Sequence, residues 1–201
     1  MTLLQPESSA AAAGAVLAEV PLSGGRVLTV RAISRADVAG LENLFDGLPT
    51  EDRYFRFFSY SRPGRSFVEQ MTRAQEDGAC HLVAEVSGPS AVVGGGGTAG
   101  TLIAEAGYVL LPDGNGEFAM TVAAGWRGWL GPYLLDALVA AAAARGVPNL
   151  VADILADNTR MLSLVKDRGY AVLCRDGPEL RVAIDAARPR AGRQPARPGV
   201  R

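Results

Sequence analysis

Between Gly116 and Gly146 the chain reads as a strand, a glycine-bearing turn and a helix, and few folds accommodate that order of elements. In Gly116–Val122 the residues Phe118, Met120 and Val122 alternate with Glu117, Ala119 and Thr121, so one side of the pleat is bulky and the other is small with a single carboxylate. The turn Ala123-Ala124-Gly125-Trp126-Arg127-Gly128-Trp129-Leu130-Gly131-Pro132 follows. Leu134, Leu135, Leu138, Val139 and Ala142 then recur at helical spacing. Pro132 suits a first helical turn, where its missing N–H is no loss, and Gly146 suits the end. A helix that starts directly behind a strand and a turn presents unpaired backbone N–H groups, the geometry that receives a phosphate.

The remaining elements place this unit inside a larger sheet. Val27–Ile33 alternates as a strand, and Ser34 with Asp37 gives a capping start for a helix from Arg35 to Phe45. Pro49-Thr50-Glu51 starts a second helix carrying Tyr54, Phe55, Phe57 and Phe58, aromatics expected mainly in the core, with a share in a wall over a cleft. Ser66 with Glu69 opens a third helix to about Gln75. Residues 79–87 and 98–111 read as an antiparallel pair. The four glycines Gly94–Gly97 between them fit a hairpin loop better than a phosphate cradle, because strand and not helix follows. Pro112-Asp113-Gly114-Asn115-Gly116 is a turn. Leu150–Leu155 is the next strand, completing a parallel crossover with the long helix. Asn158 caps a helix from Thr159 to Arg168, Gly169 ends it, and Tyr170–Cys174 and Glu179–Ile184 close as a hairpin.

Two stretches carry a resemblance. Trp126-Arg127-Gly128-Trp129-Leu130-Gly131 resembles the acetyl-CoA loop of the GNAT acetyltransferases, Gln/Arg-x-x-Gly-x-Gly/Ala before a helix, but is one residue short, with Trp129 in place of an Arg-Gly or Lys-Gly pair. Leu48-Pro49-Thr50-Glu51-Asp52-Arg53-Tyr54-Phe55-Arg56-Phe57-Phe58 is similar to a helix of the GNATs related to bacterial protein lysine acetyltransferases. The resemblance spans nearly all of residues 26–185. It implies an α/β (α+β) GNAT fold: a mixed, mostly antiparallel sheet with a parallel β-α-β crossover that binds acetyl-CoA, and flanking helices. On that pattern residues 1–25 are a flexible lead-in, 26–186 the domain and 187–201 a disordered basic tail.

The same resemblance implies where chemistry sits. Backbone N–H groups from Arg127, Gly128, Trp129, Leu130 and Gly131, with Pro132 opening the helix, would take the pyrophosphate, and the Arg127 guanidinium would add charge. The backbone of Thr121 and Val122 would pair with the pantetheine arm, with one N–H polarising the thioester carbonyl, and Asn158 would contact the cosubstrate. Glu117 stands where the protein-acetylating members carry a glutamate, in Glu-x-Ala-x-Thr-Val. A lysine amine with an ordinary pKa near 10.4 is almost wholly protonated at neutral pH, so a base is needed, and Glu117 is the candidate. Val165 falls where many members carry a tyrosine acid.

The expected activity is acetylation of protein lysines in a ternary complex. A small amine or polyamine is the alternative acceptor, and a non-catalytic CoA-binding regulatory module the alternative from another class. Composition limits the rivals. The 201 residues, 48% hydrophobic and 20% charged, suit one globular domain with tails. Net charge is −1, yet every acid lies at or before Asp185 while five arginines follow it, so the body is acidic. An acidic body argues against a nucleic-acid surface and is compatible with a cationic acceptor. The chain has no G-x-S-x-G, H-E-x-x-H or G-x-x-x-x-G-K-[ST]. His81, the single histidine, sits in an apolar strand and reads as structural, and no metal set is expected. Cys80 and Cys174 are too few and too far apart for a disulfide framework, which favours the cytoplasm. No stretch reads as a signal peptide or a membrane span.

Overall fold

A computed structural model describes residues 13–73, 78–88, 100–174 and 178–188. Its centre is one eight-stranded sheet. The strands are β1 (Val16–Pro21), β2 (Val27–Ala32), β3 (Cys80–Ser87), β4 (Thr101–Leu110), β5 (Gly116–Val122), β6 (Asn149–Leu155), β7 (Ala171–Cys174) and β8 (Glu179–Asp185). Their order across the sheet is β1-β2-β3-β4-β5-β6-β8-β7, and every neighbouring pair is antiparallel except β5 with β6. The helices are α1 (Val38–Asp46), α2 (Thr50–Phe57), α3 (Arg65–Arg73), α4 (Leu130–Ala144) and α5 (Thr159–Asp167). This is the mixed, mostly antiparallel sheet with one parallel crossover that the sequence implied.

The helix α4 links the two parallel strands, as the apolar spacing after Pro132 predicts. Leu134, Leu135, Leu138, Val139 and Ala142 are almost fully buried and pack with Tyr108, Phe118, Leu150 and Ile184 of the sheet. Each such leucine, removed from water, contributes roughly 1.5–3 kcal/mol. Chain reversal after the helix is taken by Gly146, whose φ of +71° lies in the left-handed region. The other core gathers Leu41, Phe45, Leu48, Val68 and Met71 from α1 to α3 and the loop before α2 around Ile33, Val83 and Leu102 of the sheet side.

Local signals explain the element ends. The Ser34 backbone N–H donates to the Asp37 carboxylate at 2.7 Å, the capping contact expected from their spacing, though Arg35–Asp37 is a 3₁₀ turn and the α-helix proper starts at Val38. The Asn158 side chain accepts from the Met161 N–H at 3.2 Å and so caps α5.

Two expectations need correction. The composition of residues 1–25 predicts a flexible lead-in, but Val16–Pro21 pairs with β2 as an edge strand, so the sheet begins ahead of the expected boundary at Arg26. Its sequence hides this, because only Ala18 and Val20 of the strand reach the core while Val16 and Leu17 stay exposed. The aromatics of α2 were expected mainly in the core, yet the helix has no fully buried residue and only Phe57 packs against the second core. Gln75, the Gly94–Gly97 run and the tail from residue 189 lie outside the described residues.

Candidate active site

The central feature of the sheet is a failure of pairing. β5 and β6 are in register only at Gly116↔Leu150 and Glu117↔Val151, whereas β5 continues to Val122 beside β4 and β6 continues to Leu155 beside β8. Beyond Glu117 the two parallel strands splay apart. Their facing backbone edges are left for another partner, since buried N–H and C=O groups need one. A cleft of about 1670 Å³ opens there, with Glu117, Ala119 and Thr121 on one side and Ala152, Asp153 and Ile154 on the other.

Glu117 is exposed at the start of the splay, and its side chain carries no hydrogen bond or ion pair among the described residues. Phe118, its neighbour, points into the core at 2% exposure, as the alternation requires. Thr121 is almost buried, and Val122 closes the strand.

The loop behind the strand adopts a 3₁₀ turn at Ala124–Trp126, and Arg127 is extended. Gly128 has φ +102°, a backbone that side-chain-bearing residues rarely take, and α4 then starts at Leu130. Among the loop residues singled out from sequence, Arg127, Gly128, Gly131 and Pro132 line the cleft. The side chains of Trp129 and Leu130 do not: Leu130 is fully buried and Trp129 packs against the main core. The Trp129 side chain is thus partly buried against the core and not turned to the cleft. Asn158 also lines the cleft, although its carboxamide oxygen is engaged in the α5 cap. Val165 is fully buried, whereas Ser163 and Leu164 face the cleft.

Charged residues beyond those expected, Asp52, Arg56 and Arg160, line the same cleft, and a buried carboxylate lies behind it. Glu105, in the middle of β4, has no exposed surface and lies 3.2 Å from Arg56 of α2 and 3.3 Å from His81 Nδ1 of β3. Burial pushes its carboxyl up, but the Arg56 charge and the His81 contact outweigh that and hold it below the ordinary carboxylate range. An ionised Glu105 can only accept, so Nδ1 carries the proton in that contact. His81 is therefore a structural partner of a buried carboxylate, in keeping with its strand context. Asp52, also of α2, is ion-paired with both Arg127 and Arg160. The one signal for Glu105 in the sequence is a lone acid inside the apolar strand Leu102-Ile103-Ala104-Glu105-Ala106-Gly107-Tyr108. Nothing in the spacing pointed to Asp52 with Arg160, which come from segments 108 residues apart.

Neither a family model nor a curated protein matches the chain. Solved structures do. The GNAT domain of S. lividans PAT superposes with a TM-score of 0.68 at 24% identity, over 84% of this chain and 96% of that one. The fold is a GNAT fold. A ribosomal-protein-alanine N-acetyltransferase from Brucella melitensis shares the GNAT fold at a TM-score of 0.60 and 19% identity, over 78% of this chain and 98% of its own. So does yncA from Salmonella typhimurium, solved with its cofactor acetyl-CoA, at a TM-score of 0.60 and 16% identity over 79% and 94% of the two chains. Within this GNAT fold, no helix among the described residues is long and apolar enough to cross a membrane. Nor is there a cluster of three metal-ligating side chains among them.

Proposed function

We propose that the chain is an acetyl-CoA-dependent N-acetyltransferase that transfers the acetyl group to lysine side chains presented by proteins. The observation that carries this reading is Glu117, an exposed carboxylate with no hydrogen bond or ion pair among the described residues, standing where β5 and β6 part. A buried or paired carboxylate would be spoken for; this one is available to a cation and its proton.

In this reading the cosubstrate lies along the splay. Thr121 and Val122 offer backbone groups to the pantetheine arm, and the Arg127–Pro132 loop takes the pyrophosphate at the start of α4, with Arg127 and Gly128 facing it and Asn158 on the opposite wall. The amine nitrogen attacks the thioester carbonyl carbon while its proton passes to Glu117, directly or through one water. A backbone N–H near Val122 stabilises the developing oxyanion. The tetrahedral intermediate collapses with cleavage of the C–S bond. With Val165 buried in place of a tyrosine, the thiolate leaves unassisted or takes a proton from water, as an ordinary thiol pKa near 8.5 permits.

Phe58, Phe67, Val109 and Leu110 are all more than 40% exposed or at that level, and all line the cleft. An apolar rim of that kind favours a polypeptide carrying the lysine over a small polyamine, which would leave those side chains in water. The test is acetyl-CoA turnover with and without a lysine-bearing protein. Acetyl-CoA consumed only when the protein is present supports the reading, whereas equal turnover with free polyamine overturns the acceptor assignment. Binding without any turnover would leave the regulatory-module alternative standing.

A further inference from the structure

Asp52 joins three elements of the cleft. It lies on α2, its Oδ1 accepts from Arg160 Nη2 at 2.6 Å, and its Oδ2 accepts from Arg127 Nη2. Arg127 belongs to the loop after β5 and Arg160 to the first turn of α5, and all three side chains line the cleft. The Asp52 side chain is only 12% exposed, whereas Arg160 is 52% exposed and Arg127 28%. Arg127 is further fixed through Nε, which donates to the Val122 carbonyl at 3.3 Å. Two guanidiniums from opposite walls of the splay therefore converge on one oxyanion.

A carboxylate whose two oxygens each accept an N–H from a different guanidinium stands where the oxygens of a phosphate would be held, because both anions accept guanidinium N–H donors. We propose that Arg160 joins Arg127 as a ligand of the cosubstrate's phosphate groups, and that Asp52 is the internal occupant of that site, holding both guanidiniums until a phosphate displaces it. This inference rests on the reading of the cleft as an acyl-CoA site and adds two residues to it.

The consequence has a sign that separates it from a plain structural strut. An arriving polyphosphate must break the contacts of Asp52 and meets its like charge. Removing that charge therefore strengthens phosphate binding. If Asp52 served only to tie α2 to the cleft, its loss would loosen the walls and weaken binding.

Calorimetry with coenzyme A decides it, on the wild-type chain, Asp52→Asn and Arg160→Gln, with thermal melts to establish folding. Asp52→Asn should bind coenzyme A roughly 3- to 30-fold more tightly at low salt, an advantage that shrinks as salt screens the charges, and Arg160→Gln should bind several-fold more weakly. Equal or weaker binding by a folded Asp52→Asn variant overturns the occupant role. Unchanged binding by Arg160→Gln, whose half-exposed guanidinium is removable without unfolding, overturns the proposal even if the Asp52 variant fails to fold. A wild-type chain that binds no coenzyme A would instead sink the acyl-CoA reading itself, while wild-type binding with the wrong variant order sinks only this inference.

Discussion

Gly107 and His81 occupy one site between them: a Cβ on Gly107 would stand 2.1 Å from His81 Nδ1. The two residues are partners in the β3–β4 register, and the imidazole lies across the space that the glycine leaves. That position puts Nδ1 against Glu105, so the missing side chain on β4 is what allows the buried carboxylate its second partner.

Gly107→Ala should therefore force the ring off Glu105. Overpacking of this kind costs about 1–3 kcal/mol, to which the loss of one partner of a buried charge adds. Denaturant unfolding measures it, and His81→Ala combined with Gly107→Ala should cost less than the sum of the two, since the clash is gone. Additive costs would mean that the two residues act independently.

A second network sets the acid limb of stability. Arg31 pairs with Asp37 and Glu85 at 2.7 Å each. Burial pushes the Asp37 carboxyl up, but Arg31 and the Ser34 N–H hold it below its ordinary value. A depressed folded-state pKa contributes stability at pH above the unfolded value near 3.9, and that contribution fades as pH falls through the lower, folded-state pKa. Asp37→Asn should thus lose about 1.5–3 kcal/mol at neutral pH, and the gap to wild type should close below about pH 4. A gap that is constant down to pH 2 would show that the charge of Asp37 is not what stabilises.

Gly128 separates backbone from charge. An added Cβ would meet nothing within 4 Å, so only the positive φ resists substitution. Gly128→Ala should cost about 1–2 kcal/mol of stability and keep most acetyl-CoA affinity. Gly128→Glu should abolish binding by setting a carboxylate against the phosphates. Equal affinity of the glutamate variant and wild type would remove this loop from the cosubstrate site.

Periodicity made the crossover legible: Phe118 and the leucines of α4 have a strong reason to face the core, and the sequence shows it as alternation and helical spacing. The exposed placement of Glu117 was legible for the converse reason, as the single carboxylate on the small side of its strand. The edge strand Val16–Pro21 was not, since an edge needs pairing on one side only and half-buried Ala18 and Val20 leave little pattern. Asp52, Arg56 and Glu105 were hidden because ion pairs between distant segments follow from how α2 lies over the sheet, and no local spacing encodes that. The packing of the Trp129 indole against the core was hidden in a related way, since no local spacing in the turn encodes it.

The proton acceptor remains the centre of the account, and Glu117→Gln tests it most directly. The glutamine keeps the shape of an exposed side chain on β5 while losing basicity, so acetyl-CoA affinity should hold and turnover of a lysine-bearing protein near pH 7 should fall by roughly 10² to 10⁴. Measured from neutral pH to about 10, the deficit should shrink as the free amine becomes abundant. Wild-type turnover in the glutamine variant, or a deficit that does not change with pH, would contradict the assignment of Glu117 as the base.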